Sequence, residues 1–193
     1  MTSAMPFARY SRLLVSFALA ALFCACCSSQ PDPRINALDL SADRQLWSIY
    51  TQIMAVRRDA EETFKDKDIT PQEAEACFKR NEEKLKRIAK ELAALEIKEK
   101  KNYSPALRRL VNSMEKAVFI ARKTYAKKRI CDIKGAKKTL ETISQLSGEI
   151  PVQRTYYLIQ AGCSTEQIYE IFRQDGFKDE DIQKYILQAM KSK

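Results

Sequence analysis

The chain has 193 residues, with 34 basic and 25 acidic side chains, a formal net charge of +9 and 45% hydrophobic residues. Four glycines and six prolines are too few for a collagen-like, low-complexity or many-turned β architecture. Histidine is absent, which excludes Ser-His-Asp and Cys-His catalysis, histidine metal ligands and histidine-based pH switching.

Arg9 and Arg12 lie in an N-terminal segment without acids, and the apolar run Leu13–Cys27 follows. The run is shorter than the ~20 residues that span a bilayer. A basic start, a short apolar stretch and small residues after it predict an export signal. The run ends Leu22-Phe23-Cys24-Ala25-Cys26-Cys27-Ser28-Ser29. This end resembles the lipobox of bacterial lipoproteins, in the looser form seen in spirochaetes. Ala25 takes the small position before Cys26, and Phe23 takes the apolar position three residues upstream; Phe23 and Cys24 depart from the commonest pattern. The resemblance covers residues 1–29 and implies removal of residues 1–25, a diacylglycerol thioether on Cys26 and usually a further acyl chain, such as palmitate. It implies a bacterial membrane lipoprotein of the cell envelope, facing the periplasm or the surface. One acyl chain binds membranes only marginally, so two or more are needed for stable anchoring. The mature chain would carry a net charge of +7. Residues 26–37, with Pro31 and Pro33, read as a tether.

The body is predicted to be all-α: an antiparallel bundle of three long helices over 38–147, then a module of short helices over 148–193. The first helix runs from about Ser41 to Lys65. Leu46, Ile49, Ile53, Val56 and Ala60 recur with the period of one helix face, and Trp47, Tyr50 and Phe64 widen that face. Thr70-Pro71-Gln72-Glu73 is a capping box with proline at the first helical position. Ala74, Phe78, Asn81, Leu85, Ile88, Leu92 and Leu95 then form a coiled-coil-like seam, in which Asn81 reads as a register residue. A third helix opens at Ser104-Pro105, with Leu107, Val111, Met114, Val118, Ala121 and Tyr125 as its stripe. The short link makes the second and third helices antiparallel neighbours.

A turn at Lys134-Gly135 precedes a short helix with Ala136, Leu140 and Ile143. Ser147-Gly148 is expected to end it and Pro151 to open another, which Gly162 stops. From Gly162 a fourteen-residue unit recurs approximately, each copy a glycine stop followed by a short amphipathic helix. No convincing strand pattern exists.

Cys77, Cys131 and Cys163 have no spacing that suits a metal knuckle, and no histidine could complete one. Their plain reading is apolar packing. Folding the second and third helices back at about residue 102 brings Cys77 opposite the turn before Cys131, so this pair is a candidate disulfide, which an exported protein allows. The adjacent acids Glu61-Glu62, Glu82-Glu83 and Asp179-Glu180-Asp181 point apart on a helix and make poor catalytic dyads; no Gly-rich phosphate loop exists. The expectation is therefore a protein without enzymatic activity or cofactor, the alternative being an envelope enzyme using carboxylates.

Charge is the uneven feature. Residues 101–140 hold twelve basic side chains against Glu115 and Asp132. Arg108, Arg109, Lys116, Arg122, Lys123, Lys127, Lys128 and Arg129 are the candidate surface for an anionic partner. Export favours an anionic lipid, an envelope glycan or an acidic protein. Nucleic acid is not expected, unless the N-terminus escapes processing.

Overall fold

The structure, a computed structural model, describes residues 39–66, 68–96, 102–127 and 133–191. The first 38 residues, with Cys26 and the tether, lie outside the described residues, as do Cys131, Lys128 and Arg129. The described residues belong to one compact unit, Ala37–Lys193. Its helices are α1 (Ser41–Lys65), α2 (Pro71–Glu96), α3 (Ser104–Lys127), α4 (Ile133–Gln160), α5 (Thr165–Gln174) and α6 (Asp179–Lys191). Among the described residues there is no strand, and the fold is an all-α bundle.

Local chemistry sets the helix ends. Thr70 and Glu73 close the expected capping box: the Glu73 amide donates to Thr70 Oγ1 at 3.3 Å, and the Thr70 amide donates to Glu73 Oε2 at 3.0 Å. A second box caps α5, where Ser164 and Gln167 satisfy each other's backbone amides. Gly162 and Gly176 have φ of 91° and 85°, the left-handed geometry that ends α4 and α5.

The pairing directions follow from cross-helix contacts. Lys84 meets Asp59 and Cys77 meets Thr63, so α1 and α2 are antiparallel. Arg122 meets Glu82 and Tyr125 meets Phe78, so α2 and α3 are antiparallel as well. Arg154 meets Asp43 and Ser147 meets Tyr50, which sets α4 against α1 in the same sense. The interior between these helices holds Leu46, Ile53, Phe78, Leu85, Leu107, Leu110 and Leu146, each no more than 1% exposed. The seam residues Ala74, Phe78, Asn81, Leu85, Ile88 and Leu92 are all buried. Phe64 and Leu140, expected on buried faces, are instead 50% and 59% exposed.

The expected break at Ser147-Gly148 does not occur. Residues 133–160 form one helix of 28 residues with Pro151 inside it. Proline has no amide hydrogen, so the carbonyl four residues earlier loses its helical partner. That carbonyl belongs to Ser147, and the Tyr50 hydroxyl of α1 donates to it at 3.3 Å. Ser147 Oγ donates to the Ile143 carbonyl at 2.7 Å. A side chain 97 positions away thus carries the helix through a local stop signal.

Tyr50→Phe should therefore cost about 1 kcal/mol, because it orphans a half-buried carbonyl. In a Pro151→Ala background the helix supplies its own donor at residue 151, and the same substitution should cost less than half as much. Urea unfolding of the four variants checks this; equal costs in both backgrounds would remove Tyr50 from its bracing role.

Candidate functional site

Helix α3 packs against α1, α2 and α4. Its inward face carries Ala106, Leu107, Leu110, Val111, Met114, Val118 and Thr124, all buried. The exposed residues are Pro105, Arg108, Arg109, Asn112, Lys116, Phe119, Lys123, Ala126 and Lys127. At 3.6 residues per turn these nine fall within an arc of about 100°. The polar charge is thus gathered on one strip and does not wrap the helix. The strip contains no acid. Glu115, the acid of α3, sits half-buried beside it.

The candidate basic residues separate into groups. Arg109, Lys116 and Lys127 are exposed, and no acidic side chain among the described residues pairs with them in an ion pair. Lys123 lies over the Phe119 ring at 4.3 Å, a cation–π contact on the outer surface. Arg108 is exposed at the end of the strip nearest the α2–α3 link. Arg122 does not belong to the outer face: its side chain turns to α2, and Nη1 donates to Glu82 Oε2 at 2.9 Å.

Two cysteines are described, both buried free thiols. Cys77 Sγ lies 2.9 Å from Thr63 Oγ1 of α1, and Asn81 Nδ2 donates to it at 3.8 Å. Asn81 is fully buried and its Oδ1 has no partner. The seam asparagine thus belongs to a small polar cluster inside α1 and α2. Burial pushes the Cys163 thiol up from its ordinary pKa, and the negative charge of Asp43 adds to that. Cys163 is accordingly held as a thiol, the weak nucleophilic form.

A second polar centre has no counterpart in the sequence reading. Asp43 and Arg154 are 1% and 3% exposed. Arg154 Nε donates to both Asp43 oxygens, at 3.0 and 3.1 Å, and Nη2 donates to Oδ2 at 2.8 Å. Its Nη1 donates to Asp175 Oδ2 at 2.6 Å, at the C-terminal end of α5. The Tyr103 hydroxyl, in the turn before α3, donates to Asp43 Oδ1 at 2.9 Å. The guanidinium also lies 4.0 Å from the Trp47 ring and 5.0 Å from that of Phe172. One cation standing on α4 therefore touches two other helices, α1 and α5. Burial opposes the charge of Arg154, but the hydrogen bonds and charge of Asp43 outweigh it and hold the guanidinium pKa above its usual value. Burial, then the Asp43 charge, raises the Tyr103 phenol well above 10.0. With every hydrogen-bonding partner internal, this centre is built to hold helices together.

Two shallow grooves lie among the described residues. One of about 210 Å³ lies between the start of α2 and the end of α3, with Glu75 and Arg122 on its walls. The other, about 470 Å³, lies between α5 and α6, where Arg173 is held by both oxygens of Asp179 at 2.7 and 2.6 Å. Among the described residues no group of three or more His, Cys, Asp or Glu side chains is placed to hold a metal ion, and no helix is long and apolar enough to cross a membrane. Compared with protein families, with curated proteins and with solved structures, the chain shows no match.

Removing either partner of the buried pair leaves an uncompensated charge inside the protein, so Asp43→Asn or Arg154→Met should cost ~3–5 kcal/mol in urea unfolding. The double variant Asp43→Leu/Arg154→Met should recover most of that loss; single costs below about 1 kcal/mol would show that the pair is solvated. The raised phenol of Tyr103 has its own signature. Its folded-state pKa lies above the unfolded value near 10.0, so its contribution is whole below that pH and drains as pH rises past it. The melting temperature of the native protein should fall above about pH 10 more steeply than that of Tyr103→Phe. Parallel curves would show that the phenol ionises freely.

Proposed function

We propose that this chain is an exported bacterial lipoprotein, anchored through Cys26, with a binding or scaffolding role in the cell envelope and no enzymatic activity. Its helical body engages an anionic envelope component through the outer face of α3. The observation that carries the reading is the acid-free strip on which Arg109, Lys116, Lys123 and Lys127 are all exposed. The side chains of a solvated helix face usually mix both signs of charge; this one carries a single sign over ~27 Å of helix, the rise from residue 109 to 127. A one-sign face attracts counter-charged surfaces. The N-terminal signal and the lipobox resemblance supply the compartment, which replaces nucleic acid by lipid, glycan or acidic protein as the anionic partner. Lipidation brings the body to the bilayer without a membrane-spanning helix.

Two measurements test this. The intact mass of protein purified from its own cells should correspond to a chain beginning at Cys26 with a diacylglycerol and a further acyl group; a chain beginning at Met1, or one without lipid mass, would overturn the anchoring. The chain from residue 26 with Cys26→Ser, which retains the whole compact unit, should co-sediment with envelope fragments. Changing Arg109, Lys116, Lys123 and Lys127 together to Glu should lower its recovery by about tenfold or more, since each basic residue near an anionic surface contributes ~1 kcal/mol. Raising salt from 0.1 to 1 M shortens the Debye length from ~10 to ~3 Å and should have a similar effect. Equal recovery of both forms would leave the face as solvated surface.

A further inference from the structure

The strip on α3 is not purely polar. Phe119 stands in its middle, 43% exposed, with Lys116 one turn before it and Lys123 one turn after. A large aromatic ring held at the surface between cations is costly in water and finds two kinds of contact at once in a bilayer: anionic headgroups for the cations and the acyl boundary for the ring. The groove between α2 and α3 reaches the strip at Ala126, but Arg109, Lys116, Phe119, Lys123 and Lys127 line neither it nor the groove between α5 and α6.

From this geometry we infer that the anionic partner of α3 is the phospholipid surface itself: the helix lies along the membrane plane, Arg109, Lys116, Lys123 and Lys127 contact the headgroups, and the Phe119 ring enters the acyl boundary. This rests on the reading of the α3 face as an anion-binding surface, and it adds the partner and the inserting residue. The cation–π contact of Lys123 with Phe119, 4.3 Å from nitrogen to ring centre, fits this arrangement. It holds the ammonium at the level of the ring, so the cation meets a phosphate where the ring meets lipid. The charges supply long-range attraction and the ring supplies a depth, which a diffuse polyanion such as a glycan would not require.

The test places a reporter at the ring. Phe119→Trp is prepared in the processed protein, lipid anchor included, and compared with Phe64→Trp, which puts a reporter at an exposed aromatic position of a different helix, α1. The native Trp47 is 5% exposed and contributes the same buried background to both. The vesicles are phosphatidylglycerol mixed with phosphatidylcholine, with and without acyl chains brominated near the carbonyl end. The expected result is a blue-shifted emission at position 119 and a severalfold loss on bromination, with little change at position 64. Phosphatidylcholine vesicles alone should leave position 119 unquenched. If position 119 stays unquenched on anionic vesicles while reversing Lys116, Lys123 and Lys127 to Glu still abolishes binding to heparin, the anion-binding face stands and the lipid partner is overturned. If position 119 stays unquenched and the reversal changes neither heparin nor vesicle binding, both readings fall. Equal quenching at positions 64 and 119 would also overturn the assignment, because the body would then meet lipid without preference for α3.

Discussion

A single buried cation ties the later part of the chain to the earlier part. Arg154 sits on α4 with 3% exposure, donates three hydrogen bonds to Asp43 on α1 and one to Asp175 at the end of α5, and lies against the rings of Trp47 and Phe172. Such a pair adds little net stability over an apolar replacement, because both charges were taken from water. What it adds is intolerance of error. A register slip of one turn between α1 and α4 would leave a carboxylate and a guanidinium facing hydrocarbon, and a detached α5 would strip Arg154 of a partner. The pair therefore specifies which turn of α4 faces which turn of α1, and it fixes where the α5–α6 hairpin must dock.

The other contacts between α1 and α4 depend on that register. Tyr50 lies two turns along α1 from Asp43, and Ser147 lies two turns back along α4 from Arg154. In the register that the ion pair holds, the Tyr50 hydroxyl lies 3.3 Å from the carbonyl that Pro151 leaves without a donor. Phe177 and Tyr185 extend the same packing outward, with Phe177 5.8 Å from Trp47 and Tyr185 5.9 Å from Phe177. With α1, α2 and α4 settled, α3 has three neighbours and one free side. The strip of Arg109, Lys116, Phe119, Lys123 and Lys127 is that side, so the surface proposed for binding is a by-product of how the bundle closes.

Local signals in the sequence were readable where local physics decides. The capping box at Thr70, the seam from Ala74 to Leu92 and the glycine stops at 162 and 176 all stand as the residues suggest. The start of α1 at Ser41 and of α3 at Ser104 follow likewise. The basic character of α3 was legible, but its gathering into one strip was not, because Arg122 had to be withdrawn to Glu82 and Phe119 recognised as outward. Pro151 misled, since the donor that rescues its helix lies on α1, far away in sequence. Asp43 lies in the first turn of α1 and Arg154 inside α4, and neither stands out by type or spacing. Their separation of 111 positions hides the pair from any periodicity. Phe64 and Leu140 show the converse: each has helical spacing with core residues, yet no neighbouring helix covers it.

With Arg154 bonded to both α1 and the end of α5, the α5–α6 hairpin should open only together with the bundle. Native-state amide hydrogen exchange measures this directly, because it reads the opening free energy of each helix separately. The amides of Phe172, Ile182 and Ile186 should exchange through the same global opening as those of Leu85 and Leu107, with protection equal to within about 1 kcal/mol. A hairpin whose amides exchange several kcal/mol more easily, while the long helices remain protected, would contradict it.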